Sequence, residues 1–100
     1  MNRDKALNML GLAMRAGKLI TGEEMTINEI RKNKVKLVIV ASDASENTKK
    51  KVTDKSKFYQ TAYLMDFSES ELTNAIGRPR KVIGVMDTGF AERIVSLIKG

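Results

Sequence analysis

A three-layer αβα sandwich, in the α/β class and built on a small mixed sheet, is the fold this sequence predicts. Two observations carry it. Residues 36–41 (Lys-Leu-Val-Ile-Val-Ala) and 82–86 (Val-Ile-Gly-Val-Met) are β-branched runs that read as strands buried on both faces. Around them lie segments whose apolar residues recur at helical spacing. Strands that alternate with helices give a partly parallel sheet covered on both sides. No repeat, linker or low-complexity stretch interrupts the chain, and 100 residues suit a single domain, 1–100, with one core.

The elements follow in order. A first helix is expected over residues 5–16, where Ala6, Leu7, Met9, Leu10, Leu12, Ala13 and Met14 supply an apolar face that Gly17 closes. Leu19, Ile20 and Thr21 form a short extended piece. Thr21-Gly22-Glu23-Glu24 has the S/T-x-x-E form of a capping box, so a second helix is expected there, with Met25, Ile27 and Ile30 on its apolar side. After the strand at 36–41, Asp43-Ala44-Ser45-Glu46 signals the start of a third helix running to residue 57. A short strand is expected over 61–65. Ser68-Glu69-Ser70-Glu71 is a further capping box, with Leu72, Ala75 and Ile76 behind it. The strand at 82–86 leads into a closing amphipathic helix over 90–98.

Composition removes whole classes of chemistry. The chain has no Cys and no His, which excludes thiolate and Cys–His nucleophiles, zinc fingers and disulfides. Arg3, Asp4, Lys5 and Asn8 break up any apolar run at the start, and the longest apolar stretch, 37–41, is far too short for a bilayer. A cytoplasmic protein is expected, with no membrane partner. Eighteen Lys and Arg against twelve Asp and Glu give a net charge of +6, an excess that favours a polyanionic partner.

Catalytic readings find no site. Asp43 and Asp87 each follow a buried strand, where α/β proteins place functional groups, and two such carboxylates can hold Mg²⁺. Helix capping explains both more simply. Ser42 and Ser45 have no His to serve as base, and no Gly-rich phosphate loop of either common form is present. The protein is expected to be no enzyme, with no cofactor, no metal and no small-molecule substrate.

Basic residues cluster in three places. Lys49-Lys50-Lys51 is the densest run, but three consecutive helical residues spread over more than half the circumference and read as a solvated face. More informative is Arg15-Ala16-Gly17-Lys18, which leads through residues 19–21 to Gly22 and a helix start. Free N–H groups at such a start favour phosphate, and Arg15 and Lys18 are expected to flank the opening. The third cluster, Gly77-Arg78-Pro79-Arg80-Lys81, lies in a loop between a helix and a strand. None of the five aromatics belongs to these two glycine clusters, which argues against a base-stacking single-strand binder. A structured RNA, read by shape, phosphates and a few polar groups, fits better.

Residues 17–24 (Gly-Lys-Leu-Ile-Thr-Gly-Glu-Glu) and 36–43 (Lys-Leu-Val-Ile-Val-Ala-Ser-Asp), at their mutual spacing, resemble the ribosomal protein seven-Ae and thirty-e superfamily. Leu72-Thr-Asn-Ala-Ile-Gly-Arg78 and Met86-Asp-Thr-Gly89 extend the likeness to nearly the whole chain. The opening at Gly22-Glu23-Glu24, with Glu46-Asn47-Thr48, Lys50, Lys51 and Thr53-Asp54-Lys55, is similar to the small bacterial YlxQ-type branch. The resemblance implies a domain that binds kink-turn RNA, a sharply bent helix carrying tandem sheared G·A pairs.

It further implies that a G-x-N-E-x-x-K motif at the second helix reads the guanines. Here that motif falls on Gly22, Glu24, Met25 and Asn28, so the glycine is kept and three residues differ. Positions 24, 25 and 28 share a helix face. Glu24 can accept from guanine N–H donors and Asn28 can donate to O6 or N7, whereas Met25 can only pack. Glu24 is also the acid of the supposed capping box, so two roles compete for it. The second contact implied is the loop before the last strand, Ile76-Gly77-Arg78-Pro79-Arg80 here, whose apolar residues in the family support an extruded nucleotide. Arg78 can stack or contact phosphate instead, and plain core is the other reading of Ile76. The expected protein is a monomeric RNA binder, of ribosomal RNA or an mRNA element. The alternative is a protein-interaction module of the same fold whose RNA readout has weakened at Met25 and its neighbours.

Overall fold

Nine elements alternate along residues 2–100, which the computed structural model describes. They are α1 (Arg3–Arg15), β1 (Leu19–Thr21), α2 (Glu23–Arg31), β2 (Leu37–Val40), α3 (Glu46–Phe58), β3 (Ala62–Leu64), α4 (Glu69–Ile76), β4 (Val82–Val85) and α5 (Thr88–Lys99). The strands form one sheet in the order β1-β4-β2-β3. β4 runs antiparallel to both neighbours, pairing Leu19 with Val85, Thr21 with Ile83, and Val40 with Val82. β2 and β3 are parallel, with Leu37 opposite Ala62. The sheet is therefore mixed, as the sequence predicts.

The two β-branched runs occupy the centre of this sheet, and every residue of β2 and β4 is buried. They have no solvated face because helices cover both sides. α2 packs on α3 and on β4, while α1 packs between α4 and α5, and α5 lies on β4. Leu10, Ile30, Ile39, Phe67, Leu72 and Ile94 meet in the resulting core, each at most 1% exposed. Complete burial of such a side chain contributes about 1.5–3 kcal/mol, so the sandwich is held by apolar side chains from helices and sheet together, with Phe67 added from the segment between β3 and α4.

Element ends depart from the sequence reading where caps decide them. Asn2 Oδ1 accepts from the Lys5 amide at 3.2 Å, which starts α1 at Arg3 rather than at residue 5. Asp87 Oδ2 accepts from the Phe90 amide at 2.9 Å, so α5 begins at Thr88. Ser45, not Asp43, caps α3 by accepting from the Thr48 amide at 3.1 Å. Asp43 instead reaches the start of α4, where its Oδ1 accepts from the Glu69 amide at 2.9 Å. A carboxylate that follows a strand is free to satisfy whichever helix start lies nearest in space, and here that helix is not the next in sequence.

The capping box expected at Thr21 does not form. Thr21 is the last residue of β1, opposite Ile83, and Gly22 is the N-cap of α2 with no side-chain cap. Strand pairing claimed the threonine before the helix began.

Candidate nucleic-acid interface

Gly22 turns the chain from β1 into α2 at φ 97°, ψ 149°, a region open to glycine and costly for other residues. Its N–H donates to the Val82 carbonyl at 2.9 Å, which fixes the start of α2 against the start of β4. The four other helices each have a side-chain oxygen on a first-turn amide, from Asn2, Ser45, Ser68 and Asp87. α2 has none. Its first-turn N–H groups and the positive end of its dipole are left open to an external anion.

The loop 77–81 is held against that opening. Gly77 ends α4 in the left-handed conformation, φ 80°, and its N–H donates to the Thr73 carbonyl at 2.7 Å. Arg80 Nε donates to Thr21 Oγ1 at 3.2 Å, and its Nη1 donates to the Pro79 carbonyl at 3.0 Å. The hydroxyl expected to cap α2 thus holds the loop instead. Arg78 and Lys81 remain exposed on either side of this tie. A cleft of about 240 Å³ lies between the two segments, lined by Gly22, Glu23, Thr48, Arg80 and Lys81 among others.

Along α2, Thr26, Ile27 and Ile30 face the core, while Glu24, Met25 and Asn28 face outward. Met25 is 58% exposed, a large apolar side chain placed between two polar ones. Asn28 Oδ1 accepts from Arg31 Nη1 at 3.3 Å, which directs its amide NH₂ away from Arg31 as a free donor. Glu23 turns to α3, where Lys51 Nζ stands 3.1 Å from its Oε2. The Lys51 ammonium, and after it the Thr48 hydroxyl, hold the Glu23 carboxyl below the usual carboxylate range. Glu24 has no cap to serve, since the box it was expected to close is absent.

The structure thus sets Gly22 and Glu23 beside Arg80 of the loop, with Glu24, Met25 and Asn28 following on the exposed face of α2, while Gly77 and Arg78 stand at the α4 end of that loop. Three expected members stand elsewhere. Lys18 lies at the opposite end of β1, its carbonyl accepting from the Met86 amide at 2.8 Å. That is about 13 Å from Gly22 at ~3.3 Å per strand residue. Arg15 lines the cleft between α1 and α4 with Asn74 and Ala75 instead of flanking the α2 opening. Ile76 is only 7% exposed and belongs to the core, because the last turn of α4 buries it before the loop begins.

Lys51 stays half-exposed, as expected of a solvated face, yet the packing of α3 on α2 singles it out from its run to pair with Glu23. Thr21 serves Arg80 rather than the start of α2. Asp43 and Asp87, weighed as metal ligands, are both committed to helix amides. Among the described residues no group of three potential metal-binding side chains gathers anywhere, and no helix is long and apolar enough to cross a membrane.

Comparison with known proteins converges on one family. Residues 4–94 match the Ribosomal protein L7Ae/L30e/S12e/Gadd45 family. The chain is 62% identical over 99 residues to the RNA-binding protein YlxQ of Enterococcus faecium, covering 99% of this chain and 96% of that one. It is 46% identical over 91 residues to the RNA-binding protein YlxQ of Bacillus subtilis (strain 168), covering 90% and 91% respectively. A solved structure of a Bacillus halodurans C protein with unknown function superposes with a TM-score of 0.93 at 43% identity, over 96% of this chain and 98% of that one.

Proposed function

This chain belongs to the Ribosomal protein L7Ae/L30e/S12e/Gadd45 family, and from that premise we propose that it is a non-enzymatic protein that binds kink-turn-like structured RNA. One observation carries the reading. The uncapped start of α2 and the loop before β4 form a single surface, joined by the Gly22–Val82 and Arg80–Thr21 hydrogen bonds. The first-turn amides of α2 and the Arg78 guanidinium supply donors to phosphate. Glu24 accepts from guanine N–H groups, and the Asn28 amide, oriented by Arg31, donates to O6 or N7. Arg80 holds the loop in place. The relatives named as RNA-binding proteins support the same class of ligand.

Met25 favours a second reading, because a methionine exposed at the centre of the face suits a protein partner as well as a base. Filter binding to a kink-turn RNA, beside a duplex of equal length, separates the two. The RNA reading requires tighter binding to the kink-turn. Equal affinity for both RNAs contradicts specific recognition and leaves the interaction-module reading.

A further inference from the structure

The lysine run 49–51 divides by partner. Lys49 Nζ lies 3.6 Å from Glu46, and Lys50 Nζ lies 3.0 Å from Asp54, each about one turn away on α3 itself. Lys51 alone of the three leaves its helix. Its Nζ pairs with Glu23 at the first position of α2, and its side chain stays 51% exposed. With Glu24, Ile27, Asn28 and Arg31 it walls a cleft of about 180 Å³ between α2 and α3. Small-molecule sites usually enclose roughly 300–1,000 Å³, so this cleft suits one group of a larger ligand.

Its charges indicate which group. Glu23 and Glu24 both occupy the first turn of α2, so a polyanion approaching that turn meets two carboxylates. Lys51 offsets one of them. An ammonium carries three donors and Glu23 engages one, which leaves Lys51 able to donate to a further oxygen. Arg31 is in the same position on the other wall, with one nitrogen on Asn28 and further N–H groups in solvent. Two cations with spare donors, beside a base-reading face, match a phosphodiester.

We propose that Lys51, with Arg31 across the cleft, contacts a backbone phosphate of the RNA strand whose base edges meet Glu24 and Asn28, so that the interface extends onto α3. The inference rests on the RNA reading above. Its test is the salt dependence of binding to a kink-turn RNA and to an equal-length duplex, for the wild-type protein, K51Q, K50Q and the double variant E23Q/K51Q. K51Q should flatten the log–log slope by roughly 0.7–0.9 and weaken binding about fivefold at ~0.15 M salt. K50Q should follow the wild type. The double variant removes the pair without net charge change and should keep the flattened slope. An unchanged slope in K51Q overturns the proposal. So does a return of the double variant to the wild-type slope, because Lys51 would then only neutralise Glu23. The slope counts phosphates on either RNA, so equal wild-type affinity for the two sinks kink-turn specificity while K51Q still decides Lys51.

Discussion

The starts of α2 and α4 carry nearly the same local signature and reach opposite ends. Thr21-Gly-Glu-Glu24 and Ser68-Glu-Ser-Glu71 both read as capping boxes. At α4 the box is complete: Ser68 Oγ accepts from the Glu71 amide at 3.2 Å and Glu71 Oε1 accepts from the Ser68 amide at 2.9 Å. Arg3 closes on the Glu71 carboxylate at 2.6 Å, and Asp43 takes the Glu69 amide. At α2 the threonine is paired into β1, its hydroxyl serves Arg80, and a glycine stands at the cap. The protein satisfies the start of α4 from its own side chains. It leaves that of α2 open, beside a basic loop. A helix start without an internal cap is one that a ligand can complete, and on the proposed RNA reading this difference assigns the ligand to α2.

The comparison can be broken at its glycine. In Gly22→Ala the new methyl group meets nothing within 4 Å, so the cost is conformational. Strain of about 1–3 kcal/mol is expected at such a backbone angle, and the turn that orients α2 should shift with it. Thermal denaturation should show the lost stability, and filter binding should show kink-turn affinity falling with it. Ser68→Ala breaks the other start and should separate the two properties. It should cost about 1 kcal/mol of stability as a lost cap and leave RNA affinity unchanged.

Substitutions on the exposed face sharpen the contrast without touching the fold. Asn28→Ala should remove roughly 1–3 kcal/mol from kink-turn binding and little from duplex binding. Glu24→Gln should lower the melting temperature only slightly, because Glu24 caps nothing and loses just its charge–dipole interaction of about 0.3–1 kcal/mol in the first turn of α2. It should weaken kink-turn binding selectively by presenting a donor where an acceptor is needed. Tighter kink-turn binding by this variant would exclude guanine readout by Glu24.

Acid titration gives the smallest effect and acts at both starts, since the pKa of the Glu23 carboxyl of α2 is lowered as that of the Glu71 carboxyl of α4 is. The Ser68 amide, and after it Arg3, hold the Glu71 carboxyl below the usual carboxylate range. A folded-state pKa below the unfolded one contributes stability above the unfolded value, and that contribution is lost as pH falls through the folded one. Denaturation below pH ~4.5 should therefore be less steep in Glu71→Gln, whose stability no longer depends on that ionisation.

The sheet centre was legible because burial on both faces forces a composition, and residues 37–40 and 82–85 show it without context. α1 and α5 were legible from periodicity and α3 from the start signal at 43–46, with the starts of α1 and α5 displaced by two residues where Asn2 and Asp87 cap earlier than expected. The order β1-β4-β2-β3 and the antiparallel placement of β4 depend on pairings far apart in sequence, which no local pattern encodes. The same limit governed the site. Gly22, Glu24 and Asn28 share one helix start and face as expected because helical spacing is local, and Arg80 of the loop reaches Thr21 beside them. Lys18 was grouped with them because it is only four residues from Gly22, although a strand carries it to the other end of the sheet. Asp43 and Thr21 serve partners other than those expected, and Lys51 pairs with Glu23, because each acts across a tertiary contact.

Amide chemical-shift perturbation on titrating a kink-turn RNA into the isotope-labelled protein tests the central claim most directly, since it watches both helix starts at once. The account predicts the largest shifts at residues 22–25, 28 and 77–80, a smaller one at Glu69, which lines the same cleft, and the amides of residues 70 and 71 unmoved. Shifts centred on residues 68–71, or spread evenly over both starts, would contradict it.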